Sequence, residues 1–231
     1  MENKITQENI NEATEKVTEV VFILDRSGSM SGFESDTIGG FNSTVEKQKE
    51  ENENGKVLVS TVLFDNEIEV IHDRVDINEI KPMTKKDYYV RGCTALYDAI
   101  GEAIHHIGTI HKYARKEDVP QSTIFVIITD GMENASHIYT KDAVKSSIQK
   151  QQEKYGWEFI FLGANIDSAE TAESIGIRRE MAVDYCQDGD GFKASYSSID
   201  CAISSVRKDS CVVDTWRTNL DMDNQRRKNK K

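Results

Sequence analysis

Apolar strand-like runs alternate with segments of helical periodicity along most of this chain. The runs at residues 20–24, 123–129, 157–162 and 181–185 have the length and composition of buried strands, and apolar residues in 36–50 recur at the spacing of an amphipathic helix. Parallel strands need long crossover connections, which are usually helical. The alternation therefore predicts an α/β fold with a mostly parallel sheet.

One connection breaks this pattern. Residues 56–64 and 67–74 form two β-rich runs that are separated only by Asp65 and Asn66. A turn of two residues reverses the chain, so the two runs are expected to form a hairpin. One strand must then run antiparallel to the others, and we expect it at an edge of the sheet.

The other connections are expected to be helical. A stripe of apolar residues begins just after Thr94 and extends to residue 110, and further helices are expected at 141–154 and 192–206. Asp167, with Glu170 three residues later, has the form of a capped helix start. Beyond Cys211 the periodicity fades, and the basic tail is expected to be disordered.

Length and charge narrow the class of protein. The chain has 231 residues, enough for one sizeable core, and a formal net charge of −11, which disfavours a nucleic-acid partner. Residues 1–17 lack the apolar core of a signal peptide, and no run approaches the roughly 20 apolar residues of a membrane helix. We therefore expect a cytoplasmic protein without a membrane partner. The four cysteines form no Cys-x-x-Cys pair and are expected to be reduced and half-buried.

Three segments carry side chains with oxygen ligands close to strand ends or helix starts. Asp25, Ser27 and Ser29 follow the first strand, Thr94 precedes the long helix, and Asp130 follows the Val/Ile-rich strand. In a parallel sheet these loops share the carboxyl edge, where they can converge. Carboxylate and hydroxyl oxygens suit magnesium, calcium or manganese, and the five histidines form no zinc-binding pattern. The sequence therefore predicts a metal site at this edge.

These motifs and their order resemble the von Willebrand factor A (VWA) domain with a complete metal-ion-dependent adhesion site (MIDAS). The resemblance rests on Asp25-x-Ser27-x-Ser29, Gly92-x-Thr94 and Thr129-Asp130-Gly131, and it covers residues 18–208. It implies a doubly wound, Rossmann-like sheet of about six strands with one antiparallel edge strand and helices on both faces. It also implies that Ser27, Ser29 and Thr94 bind Mg²⁺ through hydroxyl oxygens, while Asp25 and Asp130 bind it directly or through water. Mn²⁺ or Ca²⁺ are the alternatives.

The resemblance further implies what the site does. Residues 18–208 would form the domain, between a polar extension at 1–17 and a polar, basic tail at 209–231. The small intracellular members of the family that this chain resembles are bacterial or phage proteins of the tellurium-resistance type, associated with stress response. The expected function is a metal-dependent protein-binding module, an adaptor or scaffold that captures an Asp or Glu of a protein partner at the metal. Arg26 and Arg91 flank the ligand loops and are candidate partner-binding residues; the alternative is that both are solvated surface arginines.

Two other functional classes remain open. A magnesium-dependent hydrolase or phosphatase would need a base near the metal, and Glu133 and His137 are the candidates, although both are readily explained as loop residues. The chain lacks a Gly-rich phosphate loop with lysine, and position 27 is serine where phosphoryl-transfer sites usually carry a second acid. We therefore expect no enzyme activity. A structural domain without a metal-dependent role is the other alternative.

Overall fold

A computed structural model describes residues 16–51 and 54–229. It contains one mixed sheet of six strands in the order β3-β2-β1-β4-β5-β6. The strands are β1 (Val17–Asp25), β2 (Lys56–Phe64), β3 (Ile68–Asp76), β4 (Ser122–Thr129), β5 (Glu158–Gly163) and β6 (Ala182–Asp184). β1 lies in the middle and pairs in parallel with both β2 and β4. β3 pairs antiparallel with β2 at one edge, as the hairpin prediction indicated, although the connection has three residues, Asp65, Asn66 and Glu67, and not two.

Within the described residues, six α-helices surround the sheet. They are α1 (Glu34–Glu50), α2 (Leu96–Tyr113), α3 (Lys141–Tyr155), α4 (Ser168–Ser174), α5 (Gly189–Asp209) and α6 (Thr218–Lys228). The ring of Phe41 on α1 packs edge-on against Phe22 of β1, with ring centroids 5.2 Å apart. The next strand residue along, Val21, borders a small cavity with Ala103 of α2. Successive strand residues point to opposite faces, so α1 and α2 cover opposite faces of the sheet.

Burial on both faces explains the apolar composition of the central strands. All eight residues of β4 are buried, and so are eight of the nine residues of β1. A strand that is covered by helices on both sides needs apolar residues at consecutive positions, not at alternating ones. This is why residues 20–24 and 124–128 are continuously apolar.

The structure differs from the sequence-based expectations in the tail. The basic tail at 224–231, expected to be disordered, contains the end of α6, so that prediction is wrong for residues 224–228. Salt bridges hold this helix, among them Arg227 with Asp188 at 2.6 Å. Residues 1–15 of the expected N-terminal extension lie outside the described ranges, and the domain bounds stay predictions.

Two smaller observations concern the cysteines and the membrane. All four cysteines are free; Cys93 and Cys211 are exposed, so they are not half-buried as expected, whereas Cys186 and Cys201 are partly buried. Within 16–51 and 54–229, no helix combines the length and the apolar character that crossing a membrane requires.

Candidate functional site

Asp25 ends β1 with its side chain almost fully buried, at 1% exposure. One carboxylate oxygen, Oδ1, accepts a hydrogen bond from the backbone N–H of Ser27 at 2.7 Å. The other, Oδ2, accepts one from the hydroxyl of Thr129, at the end of the neighbouring strand β4, at 2.6 Å. These two bonds fix the carboxylate between the carboxyl ends of β1 and β4.

Asp130 follows β4 directly and meets the loop that follows β1. The Ser29 hydroxyl donates to Asp130 Oδ1 at 2.5 Å, and the hydroxyl oxygens of Ser27 and Ser29 lie 3.0 Å apart. The side-chain amide of Gln187 donates to Asp130 Oδ2 and, at 3.3 Å, to the backbone carbonyl of Ser29. The structure therefore brings the two carboxyl-edge loops into contact through their side chains.

Thr94 reaches the same place from the segment before α2. Its backbone N–H donates to Asn134 Oδ1 at 3.0 Å, and its carbonyl accepts from the Asn134 N–H at 3.0 Å. A β-carbon added to Gly131 would lie 3.4 Å from both Ser29 Oγ and Thr94 Oγ1. The two hydroxyls therefore border one small space beside Gly131. The structure brings together all five residues that the sequence proposed as metal ligands.

The electrostatics of this cluster are unbalanced. Burial raises the pKa of Asp25, and the nearby Asp130 raises it further, although the hydrogen bonds from Thr129 and Ser27 oppose the shift. Burial also raises the pKa of Asp130. In the described part of the chain, no lysine, arginine or histidine forms a salt bridge with either carboxylate. Two buried carboxylates without a counter-charge are costly, and a bound cation would remove that cost.

The donor set fits a hard divalent cation. Two carboxylates and three hydroxyls are oxygen ligands of the kind that Mg²⁺, Mn²⁺ and Ca²⁺ accept. Among the described residues, no group of three or more His, Cys, Asp or Glu side chains is placed to hold a metal ion. A metal at this edge would therefore depend on the hydroxyls of Ser27, Ser29 and Thr94 to complete its shell.

Arg26 and Arg91 are both engaged within the chain. Arg26 is fully buried, with Nε 2.8 Å from Asp65 Oδ2 and Nη1 2.5 Å from Glu69 Oε2. Arg91 Nε also lies 2.8 Å from Asp65 Oδ2, and its side chain is 40% exposed. Burial would raise the pKa of Asp65, but hydrogen bonds from Arg91 and Glu67 and the charge of Arg26 bring it below the usual value. The interpretation as a solvated surface residue is wrong for Arg26.

Glu133 and His137 lie in the loop after Asp130. The Glu133 carboxylate accepts hydrogen bonds from the backbone N–H groups of Tyr97, Ala135 and Ser136, at 2.7–3.0 Å. It thereby fixes this loop to the start of α2. The His137 side chain is largely exposed. Absence of enzyme activity stays a prediction.

Sequence reasoning missed two residues of the site. Thr129 stands in the quoted Thr-Asp-Gly motif, but its role as a donor to Asp25 was not assigned, and a polar residue ending an apolar strand could have indicated it. Gln187 precedes α5 and is 57 positions from Asp130. No sequence pattern marks Gln187, because its contact depends on the packing of β6 and α5.

No family model matches the chain, and no curated protein matches it. Similar folds occur among solved structures. One is a D319A mutant of the PilB minor pilin from Streptococcus sanguinis, with TM-score 0.59, 13% identity, and coverage of 90% of this chain and 64% of that one. Another is the pilus adhesin SpaC from Lactobacillus rhamnosus GG, with TM-score 0.63, 12% identity, and coverage of 84% and 31%. A third is proximal thread matrix protein 1 of the mussel byssus, with TM-score 0.52, 12% identity, and coverage of 81% and 46%. The chain spans less than two thirds of each.

These findings correct the family assignment. Neither a family model nor a curated sequence supports a VWA domain, and a minor pilin and a pilus adhesin are among the structures of similar fold. The doubly wound VWA fold is therefore not confirmed, and the fold is described as a mixed six-stranded α/β sheet. The name metal-ion-dependent adhesion site is likewise unsupported. The function as an intracellular metal-dependent adaptor or scaffold is contradicted by the pilus proteins among the similar structures.

Proposed function

We propose that the chain is a binding domain of the adhesin type. Its contact surface would be the carboxyl face, defined as Asp25, Ser27, Ser29, Thr94 and Asp130 with the loops that carry them. The observation that carries this proposal is the convergence of five oxygen-bearing side chains at one sheet edge, where both carboxylates lack a charged partner in the described chain. The similarity in fold to a minor pilin and a pilus adhesin supports the adhesin type.

Adhesion can be measured with coated beads. Beads carrying the protein are applied to immobilised fibronectin, collagen and fibrinogen and to intact epithelial cells, and retention is compared with that of albumin-coated beads. We expect retention on at least one surface, and a fall to the albumin level for Thr94→Val and Asp130→Asn. Asp142→Asn, on the exposed first turn of α3, is the matched control and should retain binding. Retention no better than albumin on every surface would refute the adhesin proposal.

The five side chains of the carboxyl face are also proposed to hold a divalent cation, with Mg²⁺ as the first choice and Mn²⁺ or Ca²⁺ as alternatives. The cation would supply the charge that lets Asp25 and Asp130 stay ionised while buried. In the structure, the hydroxyls of Ser27 and Ser29 hydrogen-bond to each other, and Ser29 also donates to Asp130. To bind the cation, both hydroxyls would have to rotate so that a lone pair of each oxygen faces it.

Thermal unfolding with added metal chloride tests this cation proposal. A cation at 100 times its dissociation constant should stabilise the folded chain by about 2.7 kcal/mol. Wild type and Asp142→Asn should respond equally, whereas Asp130→Asn should show no metal-dependent rise in Tm. An equal rise in all three proteins would mean that the ion binds elsewhere.

The partner expected from the sequence, a protein presenting Asp or Glu, stays a prediction. Poly-glutamate added as a competitor in the bead assay tests it. Inhibition of wild-type retention by poly-glutamate, but not by poly-lysine at the same concentration, would support an acidic target group. Wild-type retention that poly-glutamate leaves unchanged would count against it.

A further inference from the structure

A large cleft lies between α2 and α3, away from the carboxyl face. Its volume is about 870 Å³, within the range of small-molecule sites. Thr123, near the start of β4, and Trp157, just before β5, line it. These residues belong to the amino ends of the strands, whereas Asp25 and Asp130 lie at the carboxyl ends. The cleft is therefore a separate site from the one described above.

The charge of the cleft is opposite to that of the chain. Its lining includes Lys112, Lys116, Lys150, His105 and His111, and no Asp or Glu side chain of the described residues lines it. The whole chain carries a formal net charge of −11. None of the three lysines has a carboxylate partner within 4.0 Å in the ranges 16–51 and 54–229. A concave surface lined by one sign of charge concentrates the field and attracts the opposite charge.

His111 is part of the fixed wall of this cleft. Its Nε2 lies 2.5 Å from Oε2 of Glu19, a fully buried carboxylate that also pairs with Arg74 at 2.6 Å. The imidazole is thereby held in one orientation. The lysines remain the groups available to an incoming anion.

The lining of the cleft also includes two aromatic residues and an unused polar group; Tyr155 is 54% exposed, whereas Trp157 is 5% exposed. Trp157 is stacked on Phe125, with ring centroids 5.2 Å apart, and forms an edge contact with His111 at 5.3 Å. Thr123 is 2% exposed, and its hydroxyl has no hydrogen-bond partner among the described residues. Buried polar groups are nearly always paired, so an unpaired hydroxyl in a cleft wall indicates a missing partner.

We propose that this cleft binds a small organic anion that carries a planar ring. The ring would lie against Tyr155, and the anionic group would face Lys112, Lys116 and Lys150. The hydroxyl of Thr123 would hydrogen-bond to a polar atom of the ligand. Nothing in this inference depends on the adhesin function or on a cation at the carboxyl face.

The probe for this site is 8-anilinonaphthalene-1-sulfonate, which combines planar rings with one sulfonate and becomes fluorescent when bound. Titration of the full chain should give one saturable site. N-phenyl-1-naphthylamine, which lacks the sulfonate, should bind about tenfold more weakly if three partly screened lysines each contribute. Equal affinity for the two compounds would refute the requirement for an anion.

Two variants locate the site. Replacing Lys112, Lys116 and Lys150 with Gln should weaken sulfonate binding about tenfold, whereas the same change at the exposed Lys81, Lys85 and Lys86 should not. Gly108→Leu should block the cleft, since a β-carbon there would lie 3.3 Å from the flexible Gln151 amide and 3.9 Å from Trp157. Gly39→Leu, on the open surface of α1, is its control. Unchanged binding in the triple lysine variant or in Gly108→Leu would overturn the proposal.

Discussion

Asp25 and Arg26 are adjacent, oppositely charged and both buried, but they are stabilised in different ways. Asp25 is held by neutral donors, Ser27 and Thr129, and keeps its charge uncompensated. Arg26 reaches Asp65 and Glu69 across the sheet and is neutralised. The sequence indicated Asp25 because its motif is local. It could not indicate the burial of Arg26, because both carboxylate partners lie about forty positions away.

The hydrogen bond from Thr129 to Asp25 can be tested with two threonines of one strand. Thr129→Val removes a donor from a buried carboxylate and should lower the free energy of unfolding by about 1–3 kcal/mol. Thr123→Val, also buried on β4, replaces a hydroxyl that has no partner in the described chain and should cost nothing or stabilise slightly. Urea unfolding measures both changes. Equal losses would contradict the stated role of Thr129.

At the scale of elements, α1 and α5 pack closely because Gly40 has no side chain. A β-carbon at Gly40 would lie 1.9 Å from the ring of Tyr196 on α5. Nearer the start of both helices, the ring of Phe33, just before α1, stacks on that of Phe192 in α5 with centroids 5.5 Å apart. The adjacent Gly39 faces open space. Two neighbouring glycines therefore have opposite structural roles.

Alanine at these two positions should have opposite effects. Gly40→Ala forces the Tyr196 ring or the helix to move and should lower the free energy of unfolding by about 1–3 kcal/mol or more. Gly39→Ala should raise it by about 0.5–1 kcal/mol, because glycine in a helix is less favourable than alanine. Thermal unfolding monitored by circular dichroism compares them. Destabilisation by both substitutions would contradict the observation that Gly39 faces open space.

The docking of α6 should depend on acid pH. Hydrogen bonds from Arg227 lower the pKa of Asp188. Burial would raise the pKa of Asp223, but Arg227 and Arg226 bring it below 3.8. Both carboxylates bind protons more weakly in the folded chain than in the unfolded chain. Their contribution to stability is therefore present above about pH 3.8, the ordinary value, and is lost as the pH falls through the lowered values.

Arg227→Gln provides the measurement. Wild type should be more stable than this variant at pH 6, and the difference should shrink steadily as the pH falls below 4. Arg115→Gln, which breaks an exposed pair with Asp118, is the control and should have little effect at any pH. If the difference in stability between wild type and Arg227→Gln does not change with pH, the charges of Asp188 and Asp223 do not contribute to the docking of α6.

The elements that the sequence located are those with strong periodicity. β2 has the predicted limits, Lys56–Phe64, and Asp167 caps α4 by accepting a hydrogen bond from the Glu170 N–H at 2.8 Å. α6 was missed because it buries only Leu220 and Asp223 and is held largely by ion pairs. Such a helix has no apolar stripe to find. Some of these ion pairs lie within α6, and others join it to Asp188 and Asp190 at the start of α5, and neither kind gives an apolar periodicity.

For the whole molecule, the sequence placed the five candidate ligands near one sheet edge, because parallel strands share that edge. It did not establish family membership. The motifs are a few residues long and constrain one edge, whereas membership of a family depends on the whole chain. The three similar structures described above share only 12–13% identity with it. The sequence predicts a cytoplasmic location, whereas an adhesin-type domain must be exposed to its target.

Proteolysis of intact cells that naturally produce the chain distinguishes these two locations. If the domain acts in adhesion, protease added outside the cells should remove it, while a cytoplasmic enzyme measured in the same sample stays intact. The readout is an immunoblot against the described domain. Complete protection until the cells are lysed would support the cytoplasmic expectation and would oppose the adhesin proposal.

The central position of β1 has a mechanical consequence. β1 is the first strand of the sheet, and it is hydrogen-bonded in parallel to β2 on one side and to β4 on the other. A pull on the chain just before Val17, resisted by the rest of the sheet, would load both sets of hydrogen bonds in shear. Bonds loaded in shear share the force and break together, whereas those of an edge strand peeled sideways break one at a time. The domain should therefore resist tension applied at that end of the chain better than a domain whose first strand lies at an edge.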